Sequence, residues 1–133
     1  MAPVAHRYIT SGDGVPQGNF PFSAAVVAGN LCFISGQPAL DPETGSYVAG
    51  TIEDEFRQAF ANVRNIAKAA GFGLDELVSV HIALADIDDY GTVNRLYREE
   101  FAGIENLPAR LTYQAGALPL GCKVEVQAIA ARA

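Results

Sequence analysis

The sequence predicts an α+β fold in which two helices pack on one face of a mixed β-sheet. Three features predict it: two segments with helical spacing of apolar residues, several short strand-like runs, and Gly- or Pro-containing turns between them. The elements follow one another as β-β-β-α-β-α-β-β, an order typical of α+β proteins. With 133 residues and no repeats or linker-like stretches, the chain is expected to form one domain over residues 1–133.

The first part of the chain is predicted to contain three strands, at residues 4–10, 23–28 and 31–35. The Gly29-Asn30 pair between the second and third strands suits a tight turn that needs a positive φ. The Asp-Pro-Glu-Thr-Gly segment at 41–45 marks a further turn by its Pro and Gly residues. We therefore expect a hairpin, preceded by an edge strand.

The clearest helix is predicted at residues 51–70. One apolar stripe at helical spacing predicts it, formed by Ile52, Phe56, Phe60, Val63, Ala67 and Ala70. Thr51 and Asp54 resemble a capping box at its start, and Gly71 fits the position after its end.

The second part is predicted to contain a strand, a helix and two more strands, at residues 77–85, 88–101, 110–115 and 123–131. One face of the first of these strands is expected to carry Val78, Val80, Ile82 and Leu84. The buried side of the helix is expected to carry Tyr90, Val93, Tyr97 and Phe101. A loop at 116–121 joins the last two strands, which we interpret as a hairpin.

The composition and charge of the chain argue against several classes of function. The net charge is −6 and the nine Lys and Arg residues are scattered, which argues against nucleic-acid binding. The longest apolar runs are too short to cross a membrane, and no signal-peptide pattern is found at the N-terminus. Cys32 is expected to be buried and Cys122 to lie in an exposed turn, and their spacing matches no metal site. A cytoplasmic protein is expected.

The chain is also expected to self-associate. Half of its residues are hydrophobic and its mean hydropathy is +0.14, which is high for so small a domain. The sheet face opposite the helices is predicted to be small or apolar at alternate positions. A subunit interface would cover it.

Arg110 and Glu125 are the pair that could carry chemistry. If the last two strands form a hairpin whose turn centres between Ala117 and Leu118, the two side chains lie opposite each other on the face that the helices leave uncovered. An alternative is an exposed cross-strand ion pair, which would contribute little. Both residues lie in otherwise apolar strands, which favours a functional placement.

Several motifs carry a resemblance to a known family. They are Pro108-Ala109-Arg110 with Glu125 fifteen residues on in Val-Glu-Val-Gln-Ala-Ile-Ala, Gly29-Asn30 leading to Ile34-Ser35-Gly36-Gln37, the 41–45 turn, and Val93-Asn94 followed by Tyr97. By their order and spacing, from about Phe20 to the C-terminus, the chain resembles the Rid (YjgF-type) family of reactive enamine/imine deaminases.

The resemblance implies a chorismate-mutase-like fold and a homotrimer with three clefts between subunits. It also implies a hydrolase of metabolite damage control that converts enamines and imines such as 2-aminoacrylate to a keto acid and ammonia, with no metal or cofactor. Arg110 matches the arginine that binds the substrate carboxylate, and Glu125 the carboxylate that positions or deprotonates the attacking water. Ser35 matches a hydrogen-bonding serine of the pocket, and Asn94 a position near the cleft.

Three positions depart from the family pattern. Phe22 stands where many members have Tyr, Thr112 where many have Cys, and Gln127 where many have a second Glu. Phe22 keeps an aromatic wall but lacks a hydroxyl, and Phe22 and Thr112 are both expected to line the substrate pocket. The changes leave open a preference for 3-aminoacrylate or 2-aminomuconate.

Two other functions compete with deamination. A non-catalytic trimer could bind small carboxylates through Arg110 as a sensor or chaperone-like module. Such a binder would gain nothing from an acid beside its arginine, so Glu125 favours the enzyme. A ribonuclease is the other alternative, since some relatives carry that name, but the acidic balance of the chain argues against it.

Overall fold

A computed structural model describes residues 5–133 of the chain. Its elements are β1 (His6–Ile9), β2 (Ala25–Ala28), β3 (Leu31–Gln37), α1 (Ile52–Ala69), β4 (Leu77–Leu84), α2 (Tyr90–Glu100), β5 (Ala109–Gln114) and β6 (Val124–Ala131). Three short 3₁₀ turns are Leu74–Glu76, Ile87–Asp89 and Pro119–Gly121. The predicted order of strands and helices is confirmed, although Val4 of the predicted first strand lies outside the described residues.

One six-stranded mixed sheet runs in the order β1-β2-β3-β6-β4-β5. The predicted hairpin of the last two strands is wrong, because β4 lies between β5 and β6 and pairs parallel with β5 and antiparallel with β6. The β5–β6 loop passes the end of β4, where the Ala115 amide donates to the Leu84 carbonyl over 2.8 Å. Burial explains this order: β6 alternates fully and partly buried residues and suits the centre, whereas the largely exposed β5 suits an edge.

Both helices pack on one sheet face, where the core lies. As predicted, the stripe of α1 is buried, with Phe56, Phe60 and Val63 fully inaccessible to solvent. The Thr51 hydroxyl accepts from the Asp54 amide over 3.1 Å and begins the helix. Gly71 has a φ of 90°, and the amide of the next residue donates back to the Ala67 carbonyl over 2.8 Å, which ends the helix in a Schellman motif.

Three predictions about which side chains are buried or exposed are wrong. Val78 is exposed because the register of β4 against β6 shifts between Leu77 and Ser79, and Leu77 takes the core position instead. Tyr90 is 42% exposed at the start of α2. Cys122, expected to be exposed, is buried directly after the Pro119–Gly121 turn.

The other sheet face has exposed apolar side chains. Phe33 is 42% exposed, Leu111 is 51% exposed and Tyr113 is 45% exposed, on β3 and β5. Scattered exposed apolar residues are ordinary, whereas these three share one face of the sheet. Within residues 5–133, no helix combines the length and apolar composition needed to cross a membrane.

Glu55 on α1 is a fully buried carboxylate that joins two loops. It accepts from the Gly50 amide over 3.2 Å, from the Lys123 amide over 3.0 Å and from the Lys123 ammonium over 3.4 Å. Burial alone would raise the pKa of Glu55, but these hydrogen bonds and one from the Tyr47 hydroxyl lower it below 4.5. The buried carboxylate therefore fixes both loops while it stays charged.

We expect Glu55→Ala to lower the free energy of unfolding by about 3 kcal/mol, because two buried amides lose their acceptor. Since the folded-state pKa of Glu55 is lowered, its contribution is present above the ordinary value of 4.5 and is lost as the pH falls below it. Urea unfolding at pH 7 and at pH 4 measures both effects. An unchanged midpoint at pH 7 would contradict the assigned role.

Candidate active site

Glu125 lies on β6, on the sheet face that the helices leave uncovered, level with Ala83 of β4. Its side chain is partly buried and borders a cavity of about 730 Å³. Among residues 5–133, no hydrogen bond or ion pair involves its carboxylate. Burial raises the pKa of Glu125 above the ordinary 4.5. The result is an unpaired carboxylate of raised basicity at the wall of a cavity.

Gly36 makes room for this carboxylate. A Cβ atom at Gly36 would overlap Oε1 of Glu125, so any other residue would displace the acid. Gly36 lies where the pairing of β3 with β6 changes register, between Ile34 and Gln37. Such irregularities in strand pairing are common next to active sites, where they change the direction of a side chain. The register change in β3 and the missing side chain of Gly36 therefore leave the space that the Glu125 carboxylate occupies.

Phe22 and Ser35 lie on the same side of the molecule as Glu125. Phe22 lines the same cavity, and its ring stacks on that of Phe20 with centres 5.4 Å apart. The Ser35 hydroxyl, next to Gly36, donates to the Ser23 carbonyl over 2.6 Å. Its proton is therefore used within the chain, and its oxygen is left as an acceptor. We call Glu125, Phe22 and Ser35 the glutamate set.

Arg110 lies elsewhere. It is level with the fully buried Val80 of β4, so its side chain points to the helix-covered face. The guanidinium donates to the Tyr90 hydroxyl over 2.9 Å and lies 4.7 Å from the centre of the Tyr97 ring. No carboxylate of the described chain lies within ion-pair distance of it. Two tyrosines hold the group in place while donors suited to a planar carboxylate stay free.

Thr112 and Asn94 belong with Arg110. Thr112 follows two residues later on the same face of β5, and its hydroxyl oxygen is buried without a hydrogen-bond partner among residues 5–133. Asn94 is partly buried on α2, four residues after Tyr90 and three before Tyr97, and so shares their helix face. We call Arg110, Thr112 and Asn94 the arginine set.

The two sets do not meet within one chain. Val80 of β4 pairs with Arg110 of β5 on one side and with Ala128 of β6 on the other. Arg110 is therefore two strands away from β6, at the level of Ala128, which is three residues from Glu125. With neighbouring strands about 4.8 Å apart and residues about 3.4 Å apart along a strand, the Cα atoms are separated by roughly 14 Å. Their side chains also leave opposite faces. The predicted side-by-side placement is therefore wrong, and so is the alternative of a cross-strand ion pair within one chain.

Some contributors to these sets were missed in the sequence. Tyr90 and Tyr97 were predicted only as buried residues of the helix. Tyr97 is buried as predicted, Tyr90 is exposed, and both contact the Arg110 guanidinium. Their spacing with Asn94 was a usable signal, because residues i, i+4 and i+7 share one helix face. Gly36 was seen only as part of a motif, since its contact with Glu125 depends on the pairing of β3 with β6.

We expect Glu125→Gln to raise the melting temperature at pH 7. The raised pKa of Glu125 means that the folded chain binds this proton more tightly than the unfolded chain, so stability falls as the pH rises through the interval above 4.5. Gln removes this cost, and the gain should vanish below pH 4.5. Thermal melts between pH 4 and 8 test it, with exposed Glu105→Gln as the control. An equal melting temperature at pH 7 would contradict a desolvated carboxylate.

In the part of the chain that the structure describes, no three His, Cys, Asp or Glu side chains lie close enough together to hold a metal ion. The charged groups of the two sets are the Glu125 carboxylate and the Arg110 guanidinium.

Known proteins resemble this chain in sequence and in fold. A sequence profile of the family described as Endoribonuclease L-PSP matches residues 15–132. A Mus musculus protein named 2-iminobutanoate/2-iminopropanoate deaminase is 43% identical over 93% of this chain and 90% of its own. Among solved structures, YyfA from Yersinia pestis, of the conserved Rid protein family, has a TM-score of 0.89 and 31% identity, covering 96% of this chain and all (100%) of its own.

A second solved structure, E. coli TdcF with bound serine, has a TM-score of 0.86 and 30% identity, covering 96% of this chain and 100% of its own. The profile match, the mouse relative and the two structures agree over nearly the whole chain. The chain therefore belongs to the Rid (YjgF) family, whose sequence profile is described as Endoribonuclease L-PSP.

Proposed function

We propose that this protein hydrolyses reactive enamines and imines of small carboxylates, such as 2-aminoacrylate, to a keto acid and ammonia. The observation that carries the proposal is the partly buried, unpaired carboxylate of Glu125, which borders a cavity and has a raised pKa. A general base works best when its pKa approaches the working pH. The name of the mouse relative supports the same reaction.

The reaction needs one water and one base. The enamine tautomerises to the imine R–C(=NH)–COO⁻, and Glu125 takes a proton from water as the oxygen bonds to the imine carbon. The C=N π bond opens and its nitrogen takes up a proton from a solvent water, which gives the adduct R–C(OH)(NH₂)–COO⁻. Glu125 then returns its proton to the nitrogen, the hydroxyl proton of the adduct passes back to solvent as the C=O bond forms, the C–N bond breaks, and R–CO–COO⁻ and NH₃ leave. Orientation plus one base suffices for so reactive a substrate.

Arg110 binds the substrate carboxylate in this proposal. Its planar guanidinium can make two parallel hydrogen bonds to a carboxylate, and the tyrosines beneath it fix their direction. The partly buried Asn94 side chain offers a further polar contact on that side, and Thr112, whose hydroxyl oxygen is buried, contributes to the wall next to Arg110. On the other side, the Ser35 oxygen can accept from substrate or water, and Phe22 forms a wall.

We further propose that the active site forms between subunits of a homotrimer. The glutamate set opens on the uncovered sheet face and the arginine set lies at the β5 edge, so one chain offers only half of a site to each neighbour. The exposed apolar side chains of that face support its burial against another subunit. A heterologous contact repeated around a three-fold axis closes into a ring with three equivalent clefts.

We expect light scattering at micromolar protein concentration to give the mass of three chains, because the half-sites of one chain cannot act alone. Size-exclusion chromatography at several dilutions serves as the control for concentration-dependent association. A monomer mass under these conditions would eliminate the interface site altogether.

Two alternatives have an observation in their favour. E. coli TdcF was solved with bound serine, which fits a trimer that binds small carboxylates through Arg110 without turnover. The description of the family profile names an endoribonuclease, although a chain of net charge −6 offers little attraction to a phosphate backbone. The unpaired acid at the cavity favours the hydrolase over both.

The deciding experiment measures release of keto acid and ammonia from freshly generated 2-aminoacrylate and, in parallel, of ammonia from 3-aminoacrylate and 2-aminomuconate. Acceleration of any of these supports the hydrolase, and the rates identify the favoured enamine. Binding of pyruvate with no acceleration of any enamine would support the binder. Cleavage of single-stranded RNA by the same preparation would support the ribonuclease. A cytoplasmic location and a role in metabolite damage control belong to this proposal.

A further inference from the structure

Glu125 borders a second, smaller pocket on the uncovered sheet face. The pocket has a volume of about 220 Å³, and we call it the histidine pocket. It is lined by His81, Ala83, Tyr113, Leu118, Glu125 and Gln127. Of these residues, only Glu125 also lines the cavity of about 730 Å³ described above. The Glu125 side chain is therefore accessible from two separate spaces, and four of the six side chains around the smaller one are polar or titratable.

Ala83 forms the floor of the histidine pocket. It is level with Tyr113 of β5 on one side and with Glu125 of β6 on the other, so the three residues form a row across the sheet face. The single methyl group of Ala83 is too short to fill the space between its two larger neighbours. The pocket therefore follows from the strand order, because β4 brings a small residue between β5 and β6.

His81 lies within reach of Glu125 across this pocket. It stands two residues before Ala83 on the same face of β4 and pairs with Gln127, so Glu125 is its diagonal neighbour on β6. Diagonal neighbours of this kind have Cα atoms about 7–8 Å apart. An imidazole and a glutamate side chain each extend several ångströms from the backbone, so the two groups can meet directly or through one water molecule. Within residues 5–133, no hydrogen bond or ion pair involves the His81 ring, which is exposed.

The groups around His81 differ in what they can do with a proton. Tyr113 faces it from β5 and Glu125 from β6, and these are the two titratable groups that share the pocket with it. The other neighbours, Gln127 of β6 and Leu118 of the β5–β6 loop, do not titrate. An imidazole both gives and takes a proton near neutral pH, which a phenol or an amide does not. His81 is therefore the group in this pocket that suits reversible proton transfer beside the Glu125 carboxylate.

We propose that His81 is a second proton-transfer residue, which gives and takes back the proton that the hydrolysis otherwise exchanges with solvent. The inference rests on the proposed deaminase activity. As an imidazolium, His81 gives a proton through one water to the imine nitrogen, while Glu125 takes a proton from the attacking water. The adduct R–C(OH)(NH₂)–COO⁻ forms. Glu125 then returns its proton to the nitrogen, and the neutral imidazole takes the hydroxyl proton as the C=O bond forms and NH₃ leaves. Both side chains end as they began, so protons and charges balance.

His81→Gln tests this role through its pH dependence. Gln keeps a polar side chain of similar size but cannot give or take a proton. With freshly generated 2-aminoacrylate, we expect kcat/KM at pH 6 to fall about 10²-fold, the low end for a positioned proton donor, because solvent water replaces the imidazole in part. The ratio of the unchanged protein to the variant should approach one by about pH 9, as the imidazolium loses its proton. Taking the ratio at each pH cancels protonation of the substrate itself. His6→Gln, on the exposed β1, is the matched control.

Added imidazole separates proton transfer from a structural role. His81→Ala leaves room in the pocket, and we expect free imidazole to raise its rate about tenfold at pH 6 without raising the rate of Glu125→Gln. Light scattering should give the same mass for the His81 variants as for the unchanged protein. A rate ratio that does not change with pH, together with no response to imidazole, would overturn the inference alone, and so would a change in mass, which would make His81 an interface residue. Acceleration of no enamine by the unchanged protein would overturn the proposed deaminase activity itself.

Discussion

We expect Glu125→Gln to lower the rate of imine hydrolysis by about 10²–10⁴-fold, the usual contribution of a general base. Gln keeps the size and shape of the side chain but cannot take a proton from water. In the unchanged protein, kcat/KM should rise with pH through the raised pKa of Glu125, above 4.5, because the base must be ionised. Rates from pH 5 to 9 for both proteins measure the loss and its pH dependence.

Binding distinguishes the enzyme from a passive binder in the same variant. A keto-acid product should bind Glu125→Gln within a few-fold of its original affinity, or more tightly, because a negative charge near the bound carboxylate is removed. Glu105→Gln, an exposed acid in the loop before β5, is the control for loss of charge alone. Full activity of Glu125→Gln would reduce Glu125 to a partner for Arg110 and would remove the proposed base.

We expect Arg110→Ala to lower kcat/KM by roughly 10²–10⁴-fold, since two charge-assisted hydrogen bonds to the substrate carboxylate are lost. Arg110→Lys should recover only part of this, because an ammonium cannot form the same pair of parallel bonds. The fold should persist, since the hydrogen bond and the ring contacts of the Arg110 guanidinium found within residues 5–133 are to tyrosine side chains. Arg98→Ala, also on the surface, is the control. Loss of secondary structure or of the trimer would indicate a structural role instead.

Mixing the two inactive variants tests where the site lies. If Arg110 of one subunit acts with Glu125 of another, trimers reassembled from equal amounts of Arg110→Ala and Glu125→Gln chains regain intact sites. Random mixing makes about one interface in four complete, so about a quarter of the original activity should return. Reassembly of Arg110→Ala chains with themselves is the control. Recovery at the control level would place the whole site within one chain, against the roughly 14 Å separation there.

Much of the fold could be predicted because its signals are local. The stripe of α1, the Thr51 cap and Gly71 act within a few residues of one another, and each is found as predicted. The same holds for the turn at Gly29, whose φ is 62°. The residues that could carry chemistry, Glu125 and Arg110, were also identifiable, because charged side chains in apolar strands stand out against their neighbours.

The position of β6 could not be predicted in this way. Two consecutive strands joined by one loop favour a hairpin by local rules, but the competition between strands for the buried centre of the sheet depends on all six at once. Placing β4 between β5 and β6 moved Arg110 to the helix-covered face and away from Glu125. A register or order change of this kind alters which side chains can meet without changing any single strand.

Sequence alone thus determined the element types, their order, the family resemblance and the two charged candidates, Glu125 and Arg110. Tertiary structure decided that the two lie on opposite faces of the sheet, that Tyr90 and Tyr97 contact the arginine, and that Leu120, with a positive φ, borders an apolar space beside the acid. The physical reason is the distance along the chain over which each kind of interaction acts. Periodicity and capping depend on neighbours a few residues apart, whereas strand order, burial and cavity shape depend on contacts between residues far apart in the chain.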